Sequence, residues 1–265
     1  MKKLITLILT LMLSIAACFG LTACGKTSDL DAVKANNKLV VGVTVYPPMD
    51  YIDGETGEWV GFDAELAEMF AAELGVNCQI VIITWSQKVA ELDSKQIDLV
   101  WNGMTASDEL GQEIDFSVSY AKNAQVAVVK STSSIATKEE IKNAEVAVEA
   151  GSAGATVAAD EEIANVNPVT AQVDALNEVK AGTSDVAIID ITMAQSIVGK
   201  GDYADLKIVS GVSYGDEIFA VGLRKGSDLK AELDAFLKAK YADGTMTTLA
   251  IKYGVGLNTE ALSAN

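Results

Sequence analysis

The chain has 265 residues, 49% of them hydrophobic and 22% charged, a globular composition with room for one large domain or two small ones. Its formal net charge is −17 with no basic cluster, which excludes the positive stripe that nucleic-acid binding needs. It contains no histidine, which removes Ser-His-Asp and Cys-His catalysis and every histidine metal site.

The first 24 residues read as an address. Lys2-Lys3 precede an apolar run from Leu4 to Ala17, which breaks at Phe19-Gly20. That layout is a bacterial secretory signal, too short and too soon interrupted for a membrane span. Leu21-Thr22-Ala23-Cys24-Gly25 resembles a lipobox, in which the cysteine is lipidated and becomes the new N-terminus. Ile15-Ala16-Ala17-Cys18 fits the same pattern loosely. Cys24 is preferred because polar Lys26, Thr27, Ser28 and Asp29 follow it, as a tether would require. The alternative is an uncleaved anchor helix. Of the three cysteines only Cys78 would remain as a free thiol, so no structural disulfide is expected.

Downstream, short apolar runs alternate with helical patterns. Leu39–Val43 reads as a buried strand, broken by Tyr46-Pro47-Pro48-Met49 because proline lacks an N–H and restrains its predecessor. Asp53–Gly57 is a turn. Asp63 is placed to cap a helix carrying Leu66, Met69 and Phe70, with Gly75 as its stop. Val76–Ile83 is the next strand, Gln87–Lys95 a helix with Val89 and Leu92 on one face, and Ile97–Trp101 a strand ending in a core tryptophan. After Gln125–Val129 a Ser/Thr-rich link leads to the capping box Thr137-x-x-Glu140. Strand Val146–Glu149, a helix after Ser152, a helix at Asp174–Ala181 and strand Val186–Ile189 repeat the alternation. Ile218–Leu223, then a helix capped by Ser227 and running through Lys240, close it. This pattern predicts an α/β class with parallel sheets.

An ordered set of short motifs resembles the amino-acid-binding extracellular solute-binding proteins of bacterial ABC importers (family 3). The pieces are Val41-Gly42-Val43 with Tyr46-Pro47-Pro48-Met49, Val60-Gly61-Phe62-Asp63, Lys95-Gln96-Ile97-Asp98-Leu99, Asn102-Gly103-Met104-Thr105 and Ile114-Asp115-Phe116-Ser117. Gly182-Thr183-Ser184-Asp185-Val186 with Asp190, Val221–Gly226 and Ala242–Thr245 follow in the same order. The resemblance implies the type II periplasmic-binding-protein-like fold, two α/β lobes with a ligand cleft between them. The expected division is a signal peptide at 1–23, a lipid-anchored tether at 24–36, lobe one at 37–125 and 218–258, lobe two at 126–217 and a polar tail at 259–265. Hinge crossings are expected near Gln125–Val129 and Ser213–Glu217.

The resemblance also implies roles. Tyr46 and Trp85 would be the two aromatic walls of the ligand site. Asn102, Gly103, Met104 and Thr105 would hold the head group through backbone and hydroxyl. Ser152 and Ala153 would present helix N–H groups to a carboxylate, although Ser152 also reads as a simple N-cap. Asp190 would receive the ligand's ammonium, or else cap the helix that starts at Ile191. Asn123 and Gln125, near the first crossing, are further candidates.

One departure concerns the ligand. The family places an arginine a few residues after the Gly-x-Thr loop as a carboxylate clamp, and here Leu110 occupies that slot. The only arginine, Arg224, falls in a turn that the family keeps at the surface. Backbone N–H groups at Thr105 and Ala153, or Lys122, are the available replacements; otherwise the ligand lacks a free α-carboxylate. The expected function is an exported lipoprotein on the outer face of the cytoplasmic membrane. It would be a monomer that captures an amino acid or a derivative and passes it to an ABC permease, with no catalytic residue, metal or cofactor. The competing readings are a dehydratase-like enzyme on the same fold, using Glu149, Asp190 or Lys122, and a surface adhesin or sensory module.

Overall fold

The computed structural model describes Ser28–Ala264. The leader, Cys18, Cys24 and the first part of the expected tether lie outside the described residues.

Twelve strands follow one another: β1 (Lys38–Val43), β2 (Tyr51–Ile52), β3 (Trp59–Val60), β4 (Asn77–Ile82), β5 (Leu99–Val100), β6 (Asp115–Phe116), β7 (Ala121–Lys130), β8 (Glu145–Glu149), β9 (Asn165–Val169), β10 (Val186–Asp190), β11 (Leu206–Phe219) and β12 (Gly222–Leu223). They build two five-stranded sheets, in the orders β4-β1-β5-β12-β6 and β11-β7-β10-β8-β9, and a small ribbon of β2 with β3. β1 is parallel to β4 and β5, and β8 is parallel to β9 and β10. The sheets are nevertheless mixed rather than wholly parallel. β12 runs antiparallel to β5 and β6, and β7 antiparallel to β10 and β11, because the chain leaves the first sheet and returns to it.

The two crossings lie side by side. The start of β7 (Ala121–Ala124) pairs with the end of β11 (Asp216–Phe219). At this end β7 still touches the first lobe, through the Ala121–Leu257 bridge and the bond from Lys122 N–H to the Gly256 carbonyl, whereas from Gln125 onward it pairs with β10.

Local chemistry sets most elements. Thr137 and Glu140 form the expected capping box of helix Lys138–Lys142. Helix Phe62–Leu74 ends on Gly75 in the left-handed conformation. In the first lobe Phe70, Trp101 and Phe236 pack around one aromatic cluster, with Trp101 fully buried.

Four expectations change. Part of the tether is helix Asp29–Ala35, pinned to the first lobe by Arg224. The Arg224 guanidinium is buried, bonded to Asp29 at 3.0 Å and Asp98 at 3.2 Å, and donating to the carbonyls of Leu92 and Ile97. The polar tail contains helix Thr259–Ser263, folded back because Leu262 is buried in the core. Ser227 does not cap helix Leu229–Ala242; Asp228 holds that position and spends its carboxylate on Ser28 and Leu30 N–H. Asp63 is not a cap either. Gly61 precedes the helix, and Asp63 is buried, accepting from Gly103 N–H at 2.7 Å and Tyr120 Oη at 2.8 Å.

Candidate ligand site between the lobes

The carboxyl ends of β1 and β5 in one sheet, and of β8 and β10 in the other, deliver loops to a common cleft, where backbone N–H groups and strand-end side chains are free of the ladder. An inner chamber of about 20 Å³ is bounded by Tyr46, Trp85, Gly103, Glu149, Gln172 and Asp190, among others. An outer cavity of about 450 Å³ shares Trp85, Thr105, Ser152 and Ala153 with it and opens past Leu110, Glu113 and Asp160.

Asp190 ends β10 and is 3% exposed. It makes no capping bond to the helix it precedes. Its carboxylate instead accepts from three amides, Asn123 Nδ2, Gln125 Nε2 (2.5 Å) and Gln172 Nε2, while Gln172 Oε1 accepts its backbone N–H. No cationic side chain among the described residues pairs with it. Burial and the charge of Glu217 push Asp190 up to about 6, against the pull of the amide donors.

Glu149, at the end of β8, is 2% exposed, and its Oε1 has no hydrogen-bond partner. Burial, reinforced by the Asp190 charge, pushes it up to about 8. The Tyr46 hydroxyl is likewise buried without a partner, and burial with the nearby Asp190 charge holds it well above the usual phenol range. Unsatisfied polar atoms at this depth cost about 1–3 kcal/mol each, so a cavity lined by two of them is built for a polar guest.

The remaining candidates divide. Tyr46 stands edge-on to Phe219, with centroids 6.4 Å apart. Trp85 opens a 3-10 turn and lines both cavities. Thr105 donates to Glu217 Oε2 at 3.0 Å, and Asn123 and Gln125 donate to the same oxygen. Ser152 caps helix Ala153–Asp160 through Ala155 N–H, so its hydroxyl oxygen is already an acceptor there; with Ala153 it lines both cavities.

Asn102 and Gly103 line the inner chamber and Met104 the outer cavity, with the Asn102 and Met104 side chains and the Gly103 N–H engaged within the protein. Both amide ends of Asn102 are engaged, by Thr44 and Asp50. Gly103 N–H is spent on Asp63. A Cβ at Gly103 would lie 2.6 Å from Tyr46 Cε1, and its φ is +56°, so the residue keeps the loop close under the tyrosine ring. The Met104 side chain packs under Gly222 in a core cluster, although the residue borders the outer cavity. Lys122 is exposed and borders neither cavity, so it cannot replace a carboxylate clamp. Leu110 does line the outer cavity.

Three contributors escaped the sequence reading: Glu217, Gln172 and Lys88. Lys88 Nζ donates to the carbonyls of Trp85 (3.4 Å) and, across the cleft, Gly151 (3.0 Å), and lies 4.9 Å from the centroid of the Trp85 ring. Its signal was only a lysine at the start of a helix, indistinguishable from a solvated one.

Comparison with known proteins shows the family and the fold. Residues 39–256 match the profile of the bacterial extracellular solute-binding proteins, family 3. The arginine-binding extracellular protein ArtP of Bacillus subtilis is 29% identical over 93% of this chain and 98% of its own length. The L-cystine-binding protein TcyJ of Escherichia coli is 32% identical over 84% of this chain and 85% of its own. Among solved structures, a mutant of ArgBP from T. maritima superposes with a TM-score of 0.80 at 31% identity, covering 85% of this chain and 98% of that one.

Proposed function

We propose that this chain, which belongs to the bacterial extracellular solute-binding proteins of family 3, captures an amino acid or a close derivative in the cleft between its lobes and delivers it to an ABC importer. The observation that carries the reading is Asp190: a buried carboxylate held by three amides, bordering a chamber that also receives the unpartnered Tyr46 hydroxyl and Glu149 oxygen. A ligand ammonium completes that arrangement, and Tyr46 and Trp85 flank its stem. Helix Ala153–Asp160 offers its opening N–H groups to any anionic part.

Capture couples to hinge motion at the paired crossings of β7 and β11, because the lining comes from both lobes. The bond from Lys88 to the Gly151 carbonyl joins the lobes across the cleft, and Gly151 lies so near Ser86 that an added Cβ would stand 3.0 Å from its Cα. The permease is the partner that reads the closed form. Cys24 is the lipid attachment site that keeps a monomeric receptor at the outer face of the membrane, and no helix among the described residues is long and apolar enough to cross it.

The test is a thermal-shift screen of the purified protein, unfolded and refolded to strip carried-over solute. Amino acids, their amides and amines, and short peptides form the panel. At a hundredfold excess over Kd a true ligand stabilises the fold by about 2.7 kcal/mol. A shift with any small member supports the reading, and none across the whole panel rejects it.

A further inference from the structure

The cleft carries six carboxylates and almost no positive charge. Glu149 and Asp190 border the inner chamber, and Glu217 stands beside Asp190 through the shared Asn123 and Gln125 amides; Glu109, Glu113 and Asp160 border only the outer cavity. Lys88 is the one cationic side chain among the described lining residues, and its ammonium is committed to two carbonyls and the Trp85 ring. The two cavities adjoin through four shared residues, so the acidic groups form an inner and an outer set along one path. Between the sets the walls are Trp85, Ala153 and the Thr105 loop, a largely uncharged stretch.

A single ammonium held at Asp190 leaves the outer carboxylates Glu109, Glu113 and Asp160, none of which has an ion-pair partner among the described residues, without a counter-charge. A carboxylate on the ligand would meet no uncommitted side-chain cation. Its best partners would be the N–H groups opening helix Ala153–Asp160, which together amount to about half an elementary charge. It would also set a second negative charge near Asp190, a buried carboxylate that no side-chain cation among the described residues offsets.

Resting on the receptor reading above, we infer that the preferred ligand is an elongated dication, with an amine or guanidinium at each end of an apolar stem and no carboxylate. One cationic end sits against Asp190 and Glu149, the other in the outer cavity among Glu113, Asp160 and their neighbours.

Calorimetric titration of the refolded exported protein at pH 8 decides it, using matched pairs: arginine against agmatine, lysine against cadaverine, and cadaverine against pentylamine. Agmatine and cadaverine are expected to bind at least tenfold more tightly than their parent amino acids, and cadaverine at least tenfold more tightly than pentylamine. A parent amino acid that equals or beats its amine overturns the inference, as does pentylamine matching cadaverine. Tight binding of neutral amino acids with none of the amines also overturns it, while leaving the receptor reading intact; failure of every small solute removes that reading and the inference together. A second variant keeps the claim independent of the inner chamber. Glu113→Gln with Asp160→Asn, on the cavity mouth, is expected to weaken cadaverine at least fivefold and leave pentylamine unchanged; a folded double variant that binds both as the wild type does overturns the outer cation site.

Discussion

Replacing Asp190 by asparagine removes one negative charge from the inner chamber and changes the shape hardly at all. The wild-type carboxylate accepts from Asn123, Gln125 and Gln172, and no cation among the described residues pairs with it, so its full charge is available to a ligand ammonium. Truncating one partner of a buried charge pair at a binding site costs about 2–5 kcal/mol. At about 1.4 kcal/mol per decade, Kd rises by roughly thirtyfold to a few thousandfold. The penalty also depends on pH. Asp190 is pushed up to about 6, chiefly by burial and the Glu217 charge, so the wild-type site is charged above that value and largely neutral below it. Wild-type affinity for a cation therefore falls as pH drops through about 6, while the Asp190→Asn variant loses that part of the pH dependence. Calorimetry with a solute identified by the thermal screen, at pH 8 and pH 5, reads both effects. Binding by Asp190→Asn within threefold of wild type at pH 8 refutes the reasoning, and so does an equal loss from Leu110→Ala.

The other predictions concern charge burial, closure and the N-terminal brace. Glu149 sits above its unfolded-state value, so it contributes stability at low pH that is lost as pH rises from about 4.5 through about 8. The unliganded protein should therefore unfold at lower urea at pH 9 than at pH 6, and Glu149→Gln should flatten that slope; a wild-type slope that the variant leaves unchanged refutes the assignment. Gly151→Ala places a Cβ 3.0 Å from Ser86 Cα, across the cleft and at φ +74°, so affinity should fall at least tenfold by calorimetry. Arg224→Met leaves Asp29 without its buried partner and removes the guanidinium donor from the Leu92 and Ile97 carbonyls, the first of which keeps the Lys95 N–H. It should lower unfolding free energy by about 3–5 kcal/mol, read by urea titration, with ligand affinity unchanged within threefold, since Arg224 borders neither cavity.

What the sequence exposed was set by local rules. β1 and β5 are apolar runs, the Thr137 box is a three-residue signal, and Asp190 stands out as a charge directly after a buried strand. What it hid was set by partners far along the chain. Asp63 looked like a cap because helix starts favour aspartate, yet its partners lie 40 and 57 residues away. Glu217 and Gln172 belong to the site only because β11 crosses beside β7 and because Gln172 folds back over β10. β9 contains Pro168 and two asparagines, a poor strand signal that an edge position tolerates. β11 carries Gly211 and Gly215 and two register shifts, so its alternation is broken. Lys122 was separable in principle: side chains alternate along a strand, and Asn123 and Gln125 turn toward Asp190 and Glu217 while the exposed residue between Ala121 and Asn123 does not.

The account's central claim is that a small solute is held between the lobes with its cationic group on Asp190. A crystal structure of the solute-loaded protein tests it directly. The account predicts ligand density in the inner chamber, a nitrogen of the ligand within hydrogen-bond distance of the Asp190 carboxylate, and Tyr46 and Trp85 flanking the stem. A solute bound elsewhere, or one whose cationic group leaves Asp190 with only its three amide donors, contradicts it.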